Sequence, residues 1–243
     1  MPRSYFVAFD GCDGSGKSLL SSLVRDYYRV DKGDIWRGRV LQTFMPGGTA
    51  MGAEIRKLLK DARQSINSVA ERLLFAADNA QFIKEVIYAN ALTGKLVLCD
   101  RWSFFTDLCY GLPRGLDPAV LFTIQSVVPK ARLDILFLLT TPFELCLNQM
   151  QSDHSRELTP CRIEKAGTEY LLAVWNLYMA AASEKPFEPA KSVQQLVWAQ
   201  ARKVASKVVV LDGTKSPTEL RDIVVGHIDE LTKGETAQCE SKP

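Results

Sequence analysis

The chain has 243 residues, which suits one α/β domain or, less comfortably, two small ones, and its 47% of hydrophobic residues are enough for a sizeable core. Its 30 Lys and Arg nearly cancel its 28 Asp and Glu, which excludes a global basic field for a nucleic-acid polymer or a membrane surface and makes any anion binding local. Six cysteines with no CxxC pair and two distant histidines, His154 and His227, argue against structural zinc, and no apolar run has bilayer length, so the reading is a cytoplasmic protein with free thiols.

In chain order, Tyr5 to Phe9 reads as a buried strand that runs into Gly11-Cys12-Asp13-Gly14-Ser15-Gly16-Lys17-Ser18, a match to GxxxxGK[ST]. The glycines let backbone amides approach a polyphosphate, and the N-terminus of the helix beginning near Lys17 meets its charge. Lys17 supplies a mobile cation and the Ser18 hydroxyl a ligand for Mg²⁺. Gly11, Gly14, Ser15, Gly16, Lys17 and Ser18 are therefore the expected nucleotide-phosphate cradle.

The polar stretch from Arg29 leads to a second strand, Val40 to Phe44, ended by Pro46-Gly47-Gly48. One helix is predicted from Ala53 to Ala62, and a longer one from a cap near Asn67 or Ser68 to Leu92, stopped by Thr93-Gly94. On the long helix Phe75, Asn79 and Phe82 fall at i, i+4 and i+7 and share a face. Lys95 to Asp100 reads as a strand covered on both faces. Asp100 at its end can hold Mg²⁺ or its waters, and Arg101 can fork onto a second phosphate.

Asp117-Pro118 opens the next helix, Leu133 to Thr140 is a buried strand, and Pro142 begins the following helix. Helical stretches from Arg162 to Ser183 and from Val193 to Val204 precede the last strand, Lys207 to Leu211, and a final helix from Pro217 to Thr232. Alternating strands and helices predict one domain over residues 1–232, a mostly parallel sheet with helices on both faces, and a polar, frayed tail over 233–243.

Several segments together resemble the thymidylate kinase family of the bacterial type. They are FDGCDGSGKS, PGGTAMGAEIRKLL, LLFAADNAQ, CDRW and RLDILFLLTTP, in the family's order and spacing from about Phe6 to Thr141, with a weaker match in the helix from Arg162 and at Leu211-Asp212-Gly213. The resemblance implies a P-loop NTPase fold with a short lid, about 149–161, and transfer of the γ-phosphoryl group of ATP to a deoxynucleoside monophosphate, thymidylate first, with Mg²⁺ required. Lys17 and the loop amides would hold ATP, Ser18 and Asp100 the metal, and Arg101 and Arg56 the acceptor phosphate. Asp13 would lie near the acceptor's 3′-hydroxyl, and two copies would form a homodimer.

Phe75, Asn79, Trp102, Thr106, Cys109 and Tyr110 would form the acceptor pocket, and here the chain departs from the family. Asn79 stands for the usual arginine and Trp102 for a tyrosine. Phe105-Thr106 occupies a pair that is usually Ser-[Ser/Thr/Asn], and Cys109 stands for another tyrosine, with Tyr110 one step away. Phe44-Met45 replaces Arg-Glu. In the lid the first family arginine is Gln149, which leaves Arg156 and Arg162 as candidates for the transition-state cation. The departures leave open a kinase for another or a modified nucleoside monophosphate, or a non-catalytic nucleotide-binding homologue. Residues 183–206 are extra relative to the family, and their apolar side chains suit either the chain's own sheet or a subunit contact.

Overall fold

The computed structural model describes residues 2–32, 36–152, 162, 166–186 and 192–240, the side chains of 234–240 excepted. Five strands, β1 (Tyr5–Asp10), β2 (Val40–Phe44), β3 (Leu96–Asp100), β4 (Leu133–Leu139) and β5 (Ala205–Leu211), form one sheet in the order β2-β3-β1-β4-β5, with every neighbouring pair parallel. Period-2 alternation sends Val7, Phe9, Leu96, Leu98, Ile135 and Phe137 to one face and Ala8, Val97, Cys99, Leu136 and Leu138 to the other. Apolar residues on both sides of each strand are what a doubly covered sheet needs.

Leu20, Val24 and Tyr28 of α1 (Lys17–Val30) and Leu220, Val224 and Ile228 of α9 (Pro217–Glu240) cover the first face. The second face carries α3 (Ser68–Phe82), α4 (Ser103–Gly111), α7 (Thr168–Ala182) and α8 (Val193–Val204). Among the described residues, further α-helices are α2 (Ala50–Lys60), α5 (Pro118–Ser126) and α6 (Phe143–Ser152). The caps are local chemistry: the Asn67 side chain accepts from the Val69 amide at 2.9 Å, and Asp117 accepts from Ala119 at 2.7 Å with Pro118 at the first helical position.

Three details differ from the sequence reading or complete it. The long helix expected to Leu92 widens after Phe82 into a π-helical stretch, Ile83–Tyr88, whose Ile83, Val86 and Ile87 are buried. The last helix runs to Glu240 rather than Thr232, since the intervening residues contain no proline and one glycine. Within the segment 183–206, α8 packs on the chain's own core, with Val197 and Ala201 fully buried beside α7.

After β1 the chain crosses to the β2 edge, returns through β3, and then continues on the opposite side of β1 to β4 and β5. A ligand crevice opens at the carboxyl ends of strands where the direction of winding reverses, here around β1 and β3. The phosphate loop follows β1, Asp100 ends β3 and Arg101 comes directly after it.

Candidate active site

The loop from Gly11 to Gly16 owes its shape to backbone conformations open to glycine. Gly14 has φ 77°, and a Cβ there would come within 2.1 Å of the Cys146 carbonyl oxygen, so the loop packs on the first turns of α6 at a distance only glycine allows. No side chain caps α1 at Gly16, which leaves its first amides facing the loop. Lys17 is buried, and its Nζ donates to the Cys12 carbonyl at 3.0 Å and lies 3.9 Å from Asp13. Burial, and then Arg101, hold its ammonium pKa below the ordinary lysine value.

Ser18 donates its hydroxyl to Asp100 Oδ2, while Asp100 Oδ1 is buried with no hydrogen-bond partner. A hydroxyl and a carboxylate with an open buried oxygen are hard oxygen donors, the set that suits Mg²⁺. Arg101 adopts φ 73°, a conformation that costs a non-glycine residue ~1–2 kcal/mol. It is held there by the hydrogen bond that its backbone amide donates to the Phe9 carbonyl at 2.8 Å and by its guanidinium. Nη2 donates to Asp13, and Nη1 reaches the Gly11 carbonyl at 3.3 Å and Asp10 at 3.7 Å. Tyr110 closes the set by donating to Asp13 Oδ2 at 2.9 Å. Loop, lysine and arginine are thus joined through Asp13.

Asp10, the last residue of β1, is the buried anchor that sequence reasoning missed. It accepts from the Gly11 amide, Tyr178 OH, the Trp102 amide and Thr106 Oγ1 at 2.7–3.1 Å, and so ties the phosphate loop to α4 and α7. Its place between a strand and the first loop glycine was the available signal; Tyr178 lies 168 residues away and left none.

The structure places the expected acceptor residues in two groups. Trp102, Thr106, Cys109 and Tyr110 are buried on or beside α4, with Thr106 bound to Asp10 and Trp102 edge-on to Phe82. Phe75 and Asn79 lie across from them on α3, and Asn79 Nδ2 donates to Asp107 Oδ2 at 3.2 Å. The Arg56 guanidinium lies 5.3 Å over the Phe44 ring and donates to the Pro46 carbonyl at 2.9 Å. Burial, and then Arg101, hold its pKa below the ordinary arginine value.

Arg162 is bound to the Leu59 carbonyl at 3.1 Å and to Glu71, bracing α2 against the first turn of α3. Glu71 also pairs with Arg72 and Arg114; burial opposes its charge, but the three arginines together hold the carboxyl below its ordinary range. The other lid candidate, Arg156, lies outside the described residues.

Asp107 and Asp78 were not expected from sequence. Burial pushes the Asp107 carboxyl up to about 7 against the opposing Arg72, and pushes Asp78, which accepts the Gly47 amide at 3.0 Å, up to about 6. A carboxyl whose folded pKa is raised contributes stability that is complete below the unfolded value, near 4, and is lost as pH rises through the folded value. Thermal unfolding followed from pH 5 to 8 should therefore show Asp107→Asn gaining about 2–3 kcal/mol on the parent across that window. Parallel pH profiles for the two proteins would contradict this.

A parallel sheet that delivers a glycine loop, its lysine and a hydroxyl–carboxylate pair to one carboxyl edge defines a P-loop protein built to handle nucleotide phosphates. Residues 9–185 match the family model described as thymidylate kinase. The chain is 30% identical to a thymidylate kinase of Thermosipho africanus over 92% of its own length and 98% of that protein, and 35% identical to one of Protochlamydia amoebophila over 76% and 82%. The crystal structure of thymidylate kinase from Ehrlichia chaffeensis shares the fold, with a TM-score of 0.65 over 93% of this chain and 100% of that one, at 22% identity. The chain belongs to the thymidylate kinase family.

Proposed function

We propose that this protein transfers the γ-phosphoryl group of ATP to thymidylate, giving thymidine diphosphate and ADP. The observation that carries the reading is the convergence of Lys17, Asp13, Arg101 and the Ser18–Asp100 pair at the carboxyl ends of β1 and β3, in a chain of this family. Phosphoryl transfer of this kind needs positioning and charge neutralisation more than covalent chemistry from the protein.

Lys17 exchanges the Cys12 carbonyl for the phosphate oxygens of ATP, which the loop amides and the first turn of α1 also meet. Ser18 and Asp100 hold Mg²⁺, which when bound neutralises charge on the β- and γ-phosphates. Arg101 and Arg56 grip the acceptor phosphate, and Asp13, steadied by Arg101 and Tyr110, orients the acceptor sugar. Phe75, Asn79, Trp102, Thr106 and Cys109 wall the base and sugar. Arg156 supplies the lid cation, or Arg162 does after leaving Glu71.

The same reading gives a cytoplasmic enzyme of small-molecule nucleotides with one catalytic domain over 1–232, acting as a homodimer. Val69 and Leu73, exposed on one face of α3 a helical turn apart, support association through that helix. Among the described residues no helix is long and apolar enough to cross a membrane. Steady ADP release from Mg²⁺-ATP that depends on added thymidylate tests the function; release independent of any acceptor would contradict it.

A further inference from the structure

Two cysteines 134 residues apart in sequence meet at the phosphate loop. Cys12 is a loop residue, Cys146 sits on α6, and their sulfurs are 3.2 Å apart with both residues buried. Together with Asp13, Tyr110 and Met150 they line a small cavity against the loop. We propose that Cys12 and Cys146 are a dithiol modification site that reacts with a hydroperoxide to form a reversible disulfide, which locks the phosphate loop to α6 and switches off turnover.

The two thiols are unequal. The hydrogen bond from Cys146 lowers the Cys12 pKa; burial opposes this, and Lys17 adds to it. The same bond and burial raise that of Cys146, whose sulfur also contacts the Thr141 carbonyl at 3.6 Å. Cys12 is then the attacking thiolate and Cys146 the resolving thiol. The Cys12 sulfur attacks one peroxide oxygen, forming an S–O bond as the O–O bond breaks, and the departing oxygen leaves with a proton. The Cys146 sulfur then attacks the sulfenic acid, forming the S–S bond as the S–O bond breaks, and the released hydroxide takes the Cys146 proton as water. Two thiols lose two electrons and two protons, and hydrogen peroxide becomes two waters.

The consequence follows from what Cys12 holds. Its carbonyl accepts Lys17 Nζ at 3.0 Å and the Ser15 amide at 3.2 Å, and Gly14 rests on the Cys146 backbone. Drawing the sulfurs from 3.2 Å to the ~2.05 Å of a disulfide ties the loop to α6 at the residue that fixes both the lysine and the loop amides. Displacement of this order at a positioned group costs ~10²-fold in rate.

The activity arm of the test rests on the kinase reading, whereas the bond itself does not. The full chain is treated with hydrogen peroxide, the oxidant removed, and one portion digested without reduction for peptide mass mapping. The expected result is a linked Cys12–Cys146 peptide, a ~10²-fold loss of turnover in the parent, and recovery with dithiothreitol. Cys146→Ser, with Cys146→Ala as a second variant and the unfolding midpoint of each measured, keeps its starting activity through the treatment. Absence of the linked peptide in the parent would overturn the proposal. So would a linked peptide with unchanged turnover, or an equal loss in the folded Cys146 variants.

Discussion

Replacing Lys17 by alanine lowers turnover at least ~10²-fold while leaving the unfolding midpoint close to that of the parent. The lysine is buried, yet its ammonium rests on a single backbone carbonyl, that of Cys12, and stands 3.9 Å from Asp13. On the proposed function it is a cation held for the phosphates of ATP rather than one committed to a structural ion pair. Removing it leaves Asp13 with Arg101 and Tyr110, so the fold retains its partners while the reaction loses the charge that follows the transferring phosphoryl group. Lys17→Arg should also fail, because the residue is buried and a forked guanidinium needs more room than an ammonium. Steady-state kinetics set beside thermal unfolding reads both halves of the expectation; a loss below ~10-fold would contradict it.

Arg101→Ala loses activity on the same ~10²-fold scale and loses stability as well. Its guanidinium spans Asp13, the Gly11 carbonyl, Tyr110 and Tyr178, so truncation leaves polar groups without their donor at a cost of about 1–3 kcal/mol. The backbone adds a second handle. At φ 73° alanine keeps the left-handed strain, whereas Arg101→Gly relieves ~1–2 kcal/mol of it. The glycine variant should therefore be more stable than the alanine variant and no more active. Activity returning in Arg101→Gly would mean that the backbone, not the guanidinium, carries the role.

What was legible in the sequence was what is local or repeats along it. The five strands could be placed because apolar residues such as Leu96 to Cys99 and Ile135 to Leu139 run without polar interruption. The loop, Lys17, Ser18, Asp100 and Arg101 could be placed because each sits beside a strand end. The second half of the long helix was not read correctly, since nothing in the apolar spacing separates a π-helical stretch from an α-helical one. The buried ties were hidden for another reason. Asp10 with Tyr178, Asn79 with Asp107 and Cys12 with Cys146 join residues 168, 28 and 134 positions apart, and only the packing of α3, α4, α6 and α7 over the sheet brings them together. Arg162, one of two candidates for the lid cation, braces Glu71, a partner that its own neighbourhood in sequence does not announce.

One carboxyl edge of the sheet, on the proposed function, moves a phosphoryl group from ATP to thymidylate. Incubating the protein with Mg²⁺-ATP and each common deoxy- and ribonucleoside monophosphate, and resolving the diphosphates by chromatography, measures it directly. Thymidine diphosphate is expected as the dominant product, absent when Mg²⁺ is withheld. No diphosphate from any acceptor, with the protein folded, would contradict it.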